Sequence, residues 1–101
     1  MADIRALVMH AQDNVATLVE EAKTGQKVSA EIGREKQTLT AKEAIPFGFK
    51  IALVDIPQGG TIIKYGELIG KASSPISRGD LVHVHNVEGT RGRGDLEKEV
   101  E

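Results

Sequence analysis

The sequence predicts a mainly β domain with one short helix, on three observations. A seven-residue turn pattern recurs four times, the core must be aliphatic, and only one stretch carries a helical period. The pattern is apolar, turn former, any, Gly, any, any, β-branched. It reads Ile45-Pro46-Phe47-Gly48-Phe49-Lys50-Ile51, then Ile56-Pro57-Gln58-Gly59-Gly60-Thr61-Ile62 and Ile76-Ser77-Arg78-Gly79-Asp80-Leu81-Val82. Ala22-Lys23-Thr24-Gly25-Gln26-Lys27-Val28 is a weaker copy. Each copy has a physical reading: Pro or Ser starts a tight turn, Gly takes a positive φ angle, and a strand follows. Four such corners in 101 residues imply brief strands folded over one another, not a long flat sheet. Hydrophobic residues make up 40% of the chain, but the aromatics are only Phe47, Phe49 and Tyr65, so Val, Ile, Leu and Ala must fill one modest core.

Along the chain, Ile4 to Met9 reads as a short strand. Asp13 or Asn14 can cap a helix that follows, because either side chain accepts bonds from free N–H groups. Val15, Leu18, Val19 and Ala22 then form one apolar stripe at helical spacing, and Gly25 suits the helix end. Between Val28 and Ala41 two strands flank the polar turn Gly33-Arg34-Glu35-Lys36. Residues 1–88 make the domain. Residues 89–101, Gly-rich and charged and then acidic, read as a flexible tail that a partner can order.

A net charge of −2 with both signs scattered, and no basic face bearing aromatics, argue against a nucleic-acid binder. With no cysteine there is no disulfide and no thiolate ligand. No long apolar stretch suggests a signal peptide or membrane span, so the expected location is the cytoplasm. A Gly-rich phosphate loop before a helix, a His-Glu-x-x-His run and a nucleophile elbow are all missing. So sparse a catalytic inventory points to a subunit or module rather than a self-contained enzyme.

Chemistry concentrates in Val82-His83-Val84-His85-Asn86, which holds two of the three histidines. In a strand His83 and His85 share one face, where two imidazoles beside an amide can hold a divalent metal or grip an acid. Two ligands are not a complete metal site; His10, Asp13 or Asp55 could add to it, or a partner chain could. His10 and Asn14 stand at the expected strand-to-helix junction, where free N–H groups favour an anion. Lys50 follows a repeat glycine and has the bulky ring of Phe49 beside it, as a pocket wall or as core. Lys64 reads as a solvated lysine.

These elements resemble the SAF-type N-terminal domain of the altronate and galactarate dehydratase family. The matching residues are Asp13-Asn14-Val15-Ala16, Gly48 with Lys50-Ile51-Ala52-Leu53, Asp55-Ile56, Ile63-Lys64-Tyr65-Gly66, Ile69-Gly70-Lys71-Ala72 and His83-Val84-His85-Asn86. The resemblance implies a β-clip fold of short bent strands. It implies the small subunit of a two-subunit carbon–oxygen hydro-lyase, or of a related carbon–sulfur lyase such as a (2R)-sulfolactate sulfo-lyase alpha subunit. Water or sulfite would leave a 2-hydroxy acid on a shared site with a large catalytic subunit. It further implies a divalent metal, iron, in the complete enzyme, and inactivity without the large subunit. On this reading His83 and His85 touch substrate or metal, and His10, Asn14, Lys50, Arg78 and Asn86 bind the acid behind them. Arg91 and Arg93 can grip a carboxylate or sulfonate in bidentate fashion, or dock the large subunit. The dehydratases usually read Gly-His-Lys where this chain has Gly48-Phe49-Lys50, and an apolar ring there is compatible with a smaller or sulfonated acid. The competing class is a non-catalytic module that binds an acidic sugar.

Overall fold

The computed structural model describes residues 3–89. Nine strands run in chain order: β1 Ile4–Leu7, β2 Val15–Leu18, β3 Lys27–Ile32, β4 Glu35–Thr40, β5 Lys50–Ala52, β6 Thr61–Lys64, β7 Glu67–Ala72, β8 Leu81–Val82 and β9 Val87–Gly89. They form a six-stranded sheet, β4-β3-β1-β2-β5-β8, and a three-stranded sheet, β6-β7-β9. β1 and β3 pair in parallel, and the other pairs are antiparallel. The fold is therefore mainly β, with no helix among the described residues. The last strand runs through Gly89, and residues 90–101, with Arg91 and Arg93, lie outside the described part.

The expected helix is corrected to strand β2. Val15 belongs to one buried cluster, with Ala52, Ile62, Ala72, Ile76 and Val82. Ala16 and Leu18 belong to another, with Val28, Leu39, Ile45 and Ile51. A strand covered on both faces shows no alternation of apolar and polar residues, so its apolar run matches a helical stripe equally well. Backbone pairing settles the competition, with β1 on one side of β2 and β5 on the other.

All four corners form, and by the same geometry. Gly25, Gly48, Gly59 and Gly79 take φ of 88, 86, 83 and 97°. One residue past each glycine, an N–H donates back across the turn, as from Phe49 to the Pro46 carbonyl (3.1 Å) and from Asp80 to Ser77 (2.9 Å). These are type II turns, which need a positive φ at the third residue. The corners also pair: Ala22 and Ile45 exchange both backbone hydrogen bonds (2.9 and 2.8 Å), as do Ile56 and Ile76 (2.7 and 2.8 Å). The apolar residue opening each copy is buried, and the two pairs fall one in each cluster.

Asp13 and Asn14 do cap, but they cap the second sheet. Asp13, 8% exposed, accepts from the N–H groups of Met9 (3.2 Å), Tyr65 (3.1 Å) and Gly66 (2.8 Å). Asn14 lies along β6, accepting from Ile63 N (2.8 Å) and donating through Nδ2 to Thr61 O (2.8 Å). Together they join the two sheets.

The β6–β7 turn is Tyr65-Gly66, with φ of 57 and 72°, a left-handed pair that Asn-Gly would fit better. Tyr65→Asn is expected to stabilise the fold by about 1 kcal/mol, because left-handed backbone costs most side chains more than it costs asparagine. The urea midpoint measures this; an unchanged or lower midpoint would show that Tyr65 packing outweighs its backbone.

Candidate functional site

Val82-His83-Val84-His85-Asn86 is not a strand beyond Val82. Residues 83–86 form a tight turn closed by a bond from Asn86 N to His83 O (3.0 Å), so His83 and His85 are not alternate residues of one sheet face. Asn86 builds the turn. Its Oδ1 accepts from His83 N (2.9 Å), and its Nδ2 donates to Leu81 O (2.8 Å) from a buried position. A side chain that satisfies the backbone on both sides ends strand β8 where period-two reading continues it.

Under this turn, where the two sheets meet, lies a pocket of about 290 Å³. Lys50, His83 and Val84 line it, with apolar walls from Ile62, Ile69 and Val87. Lys50 opens β5 and stands opposite Val82 on one side and Thr17 on the other. Directly opposed residues share a sheet face, so Lys50, Thr17 and Val82 all point towards the cluster that holds Val15, Ile62 and Val82. The Thr17 hydroxyl is buried there without a hydrogen-bond partner among the described residues.

His83 is held twice. Asn86 fixes its backbone, and the Phe49 ring packs against its imidazole, with centroids 4.5 Å apart and planes tilted by 42°. Phe49 is itself locked: its N–H donates to Pro46, its carbonyl accepts from Leu18 N (2.9 Å), and it packs against the cluster of Ala16, Leu18 and Ile51. Phe49 is thus core and a support for the pocket's histidine at once. Burial lowers the Lys50 ammonium below the usual lysine range, and the positive charge of Lys64 lowers it further. Lys64 lies 5.0 Å above the ring of Tyr65, a cation–π contact.

Of the residues expected at a site, the pocket gathers Lys50 and His83. His85 is exposed on the turn beside Val84, which is 79% exposed. His10 lies elsewhere, its ring over Gly66 and its Nδ1 accepting from Gln12 N (3.1 Å). Arg78 spends its guanidinium on the fold, donating to Leu53 O (3.0 Å), Gln37 Oε1 (3.0 Å) and Thr38 O (3.3 Å). Asn14 is committed to β6 in the same way. No group of three or more His, Asp or Glu side chains gathers to hold a metal ion among the described residues. His83 and His85 alone do not fit a metal shell. A second pocket of about 330 Å³, beside the β3–β4 hairpin, is lined by Glu35, Lys36 and Gln37 and, of the candidates, by Asp13 alone, whose carboxylate is taken up by backbone N–H groups. Sequence reasoning missed the aliphatic walls, whose residues Ile62, Ile69 and Val87 come from the three strands of the second sheet.

The family model of the altronate/galactarate dehydratase SAF domain matches residues 4–90. The chain belongs to that family. This SAF domain is 41% identical over 78 residues to the altronate dehydratase of Escherichia coli (strain K12), which is 77% of this chain and 15% of that enzyme. It is 36% identical over 88 residues to the (2R)-sulfolactate sulfo-lyase subunit alpha of Chromohalobacter salexigens, covering 83% of this chain and 94% of that subunit. The galactarate dehydratase (L-threo-forming) of Escherichia coli is 43% identical over 74 residues, 13% of its length. The SAF domain thus spans a small part of the dehydratases and nearly all of a lyase subunit. None of its described residues forms a helix long and apolar enough to cross a membrane.

Proposed function

We propose that this SAF domain is the small subunit of a two-subunit lyase that eliminates water or sulfite from a 2-hydroxy acid. Its Lys50–His83 pocket would form one wall of an active site that a large catalytic subunit completes. The observation that carries this reading is the match over 94% of a sulfo-lyase alpha subunit, against 15% of a dehydratase. The same observation favours sulfite over water as the leaving group. We read the paired corners as a β-clip, and the cytoplasm as the compartment.

Such an elimination removes the proton beside a carboxylate and breaks the C–O or C–S bond at the neighbouring carbon. An enol results, which tautomerises to the 2-oxo acid. Lys50 can hold an anionic head group, and in a partly dry pocket that attraction exceeds its value in water. The His83 imidazole, kept in place by Phe49 and Asn86, can hydrogen-bond the substrate or pass a proton. The base that removes the α-proton is assigned to the large subunit. So is any divalent metal, iron by family resemblance, since the described residues of this chain do not make a shell for one. His85 and Val84, on the outer side of the turn, face that subunit.

The test is co-expression with a neighbouring large-subunit homologue, assaying sulfite release and dehydration. Lys50→Met and His83→Ala are each expected to lower kcat/KM by about 100-fold, the scale of a lost charge contact or proton-transfer group. Wild-type turnover in both would overturn the reading. A monomer that binds an acid tightly and never associates with the large chain would favour the non-catalytic binding module instead.

A further inference from the structure

We propose that the end of the β5–β8 pair that carries Phe47, Phe49 and Val84 is the face on which the large catalytic chain docks, and that docking closes the mouth of the Lys50 pocket. The proposal rests on the small-subunit reading and adds where the partner sits.

Lys50 pairs with Val82 and Ile51 with Leu81, so β5 and β8 run antiparallel, and the start of one lies beside the end of the other. The ring contact of Phe49 with His83 continues that pairing by one step. Phe47 stands just outside it in the corner before β5, and Val84 just outside it in the turn after β8. They are the two most exposed large apolar side chains among the described residues, at 70 and 79%. Neither belongs to a buried cluster. The corner is closed by backbone bonds from Gly48 and Phe49, and the 83–86 turn by Asn86. A lone exposed apolar side chain is ordinary, but two such side chains at one end of a strand pair mark an interaction surface.

The occupant follows from the pocket beside this face. Val84 belongs both to the face and to the pocket lining, so a chain that covers one covers the other. Gly89, the last described residue, lines the same pocket, so the chain beyond it sets out from here. The match to this domain takes up 15% of one relative and 94% of another, so the same domain works both joined to a large chain and separate from one. A second copy fits the face poorly. Two copies would bring two Lys50 pockets mouth to mouth, and among the described residues the only ion pair is Arg5–Glu31, which leaves Lys50 without a counter-charge. Like charges facing one another out of water repel strongly. A large chain seated here instead excludes water from the pocket and strengthens the hold of Lys50 on an anion.

The experiment measures by calorimetry the affinity of the chain for the neighbouring large-subunit homologue, and then the turnover of the complex. Phe47→Ser and Val84→Ser are each expected to weaken association about 30-fold, the scale of a buried apolar anchor. Val54→Ser, which removes a half-exposed apolar side chain beyond the other end of β5, should leave it unchanged. The urea midpoints of all three should stay near that of the wild type, since exposed side chains contribute little to folding. Excess small chain should restore the turnover of Phe47→Ser but not that of Lys50→Met, whose loss lies in the pocket rather than in the contact. Wild-type affinity in both Phe47→Ser and Val84→Ser overturns the docking face and leaves the small-subunit reading intact. Self-association of the wild-type chain that Phe47→Ser abolishes overturns it as well, in favour of a contact between copies. If the wild type binds no large chain, the small-subunit reading falls and the docking face with it.

Discussion

Gly79→Ala is expected to destabilise the domain by about 3 kcal/mol or more, enough to unfold much of a marginal fold. Two penalties add at this position. Its φ of 97° lies in the region that any side chain resists, at a cost of about 1–2 kcal/mol. A Cβ there would also run into the carbonyl oxygen of Thr40 and crowd Lys42. That oxygen is backbone on the neighbouring β4 end, so relief needs the strand to move. Gly25→Ala and Gly59→Ala are the controls, since both have positive φ but open space around the added methyl. They should cost only the backbone term, about 1–2 kcal/mol. Urea denaturation of the three variants separates the two penalties. Equal losses in all three would show that the Thr40 contact contributes nothing.

Asp13→Ala is expected to cost about 3–4 kcal/mol, since a buried N–H left without an acceptor costs about 1–3 kcal/mol. The Asp13 carboxylate satisfies the N–H groups of Met9, Tyr65 and Gly66, and two of those belong to the turn that holds Tyr65 in its strained conformation. Asp13→Asn keeps an acceptor oxygen but loses the charge, so it should fall between, at about 1–2 kcal/mol. Denaturation gives the size of the loss. Amide exchange gives its place: Tyr65 and Gly66 should lose protection before the Ala22–Ile45 pair does. Uniform loss of protection would mean that Asp13 supports the whole fold rather than the turn.

The sequence made the corners legible because each is a local object: one glycine, one turn former and one buried residue within a few positions. The β3–β4 hairpin was legible for the same reason, with Gly33 at a φ of 57° between its strands. The β2 strand was not, because Val15, Ala16 and Leu18 are buried on opposite faces by segments far along the chain. Asp13 and Asn14 show how chemistry can be read correctly and its target missed. Both accept from free N–H groups, but those groups belong to Ile63, Tyr65 and Gly66, with Met9 as a further donor to Asp13. At the site, Lys50 and His83 were identified by type. The aliphatic walls and the support from Phe49 depend on how the sheets meet, which no local pattern encodes. Arg78 looked like an anion ligand and is a tether, because its guanidinium finds Gln37, Thr38 and Leu53.

The paired corners divide what is fixed in this architecture from what is free to drift. Each is held by backbone bonds, one glycine and one buried apolar side chain, and nothing in that geometry dictates the residue just before the glycine. That place holds Thr24, Phe47, Gln58 and Arg78: a small alcohol, a ring 70% exposed, an amide and a cation that reaches across to another strand. Arg78 is tied to Leu53, Gln37 and Thr38, but at the other three corners a lineage can change what it presents to a partner one residue at a time, at little risk to folding. Those three corners are then mounting points on which selection can exchange surface chemistry while the frame stays the same.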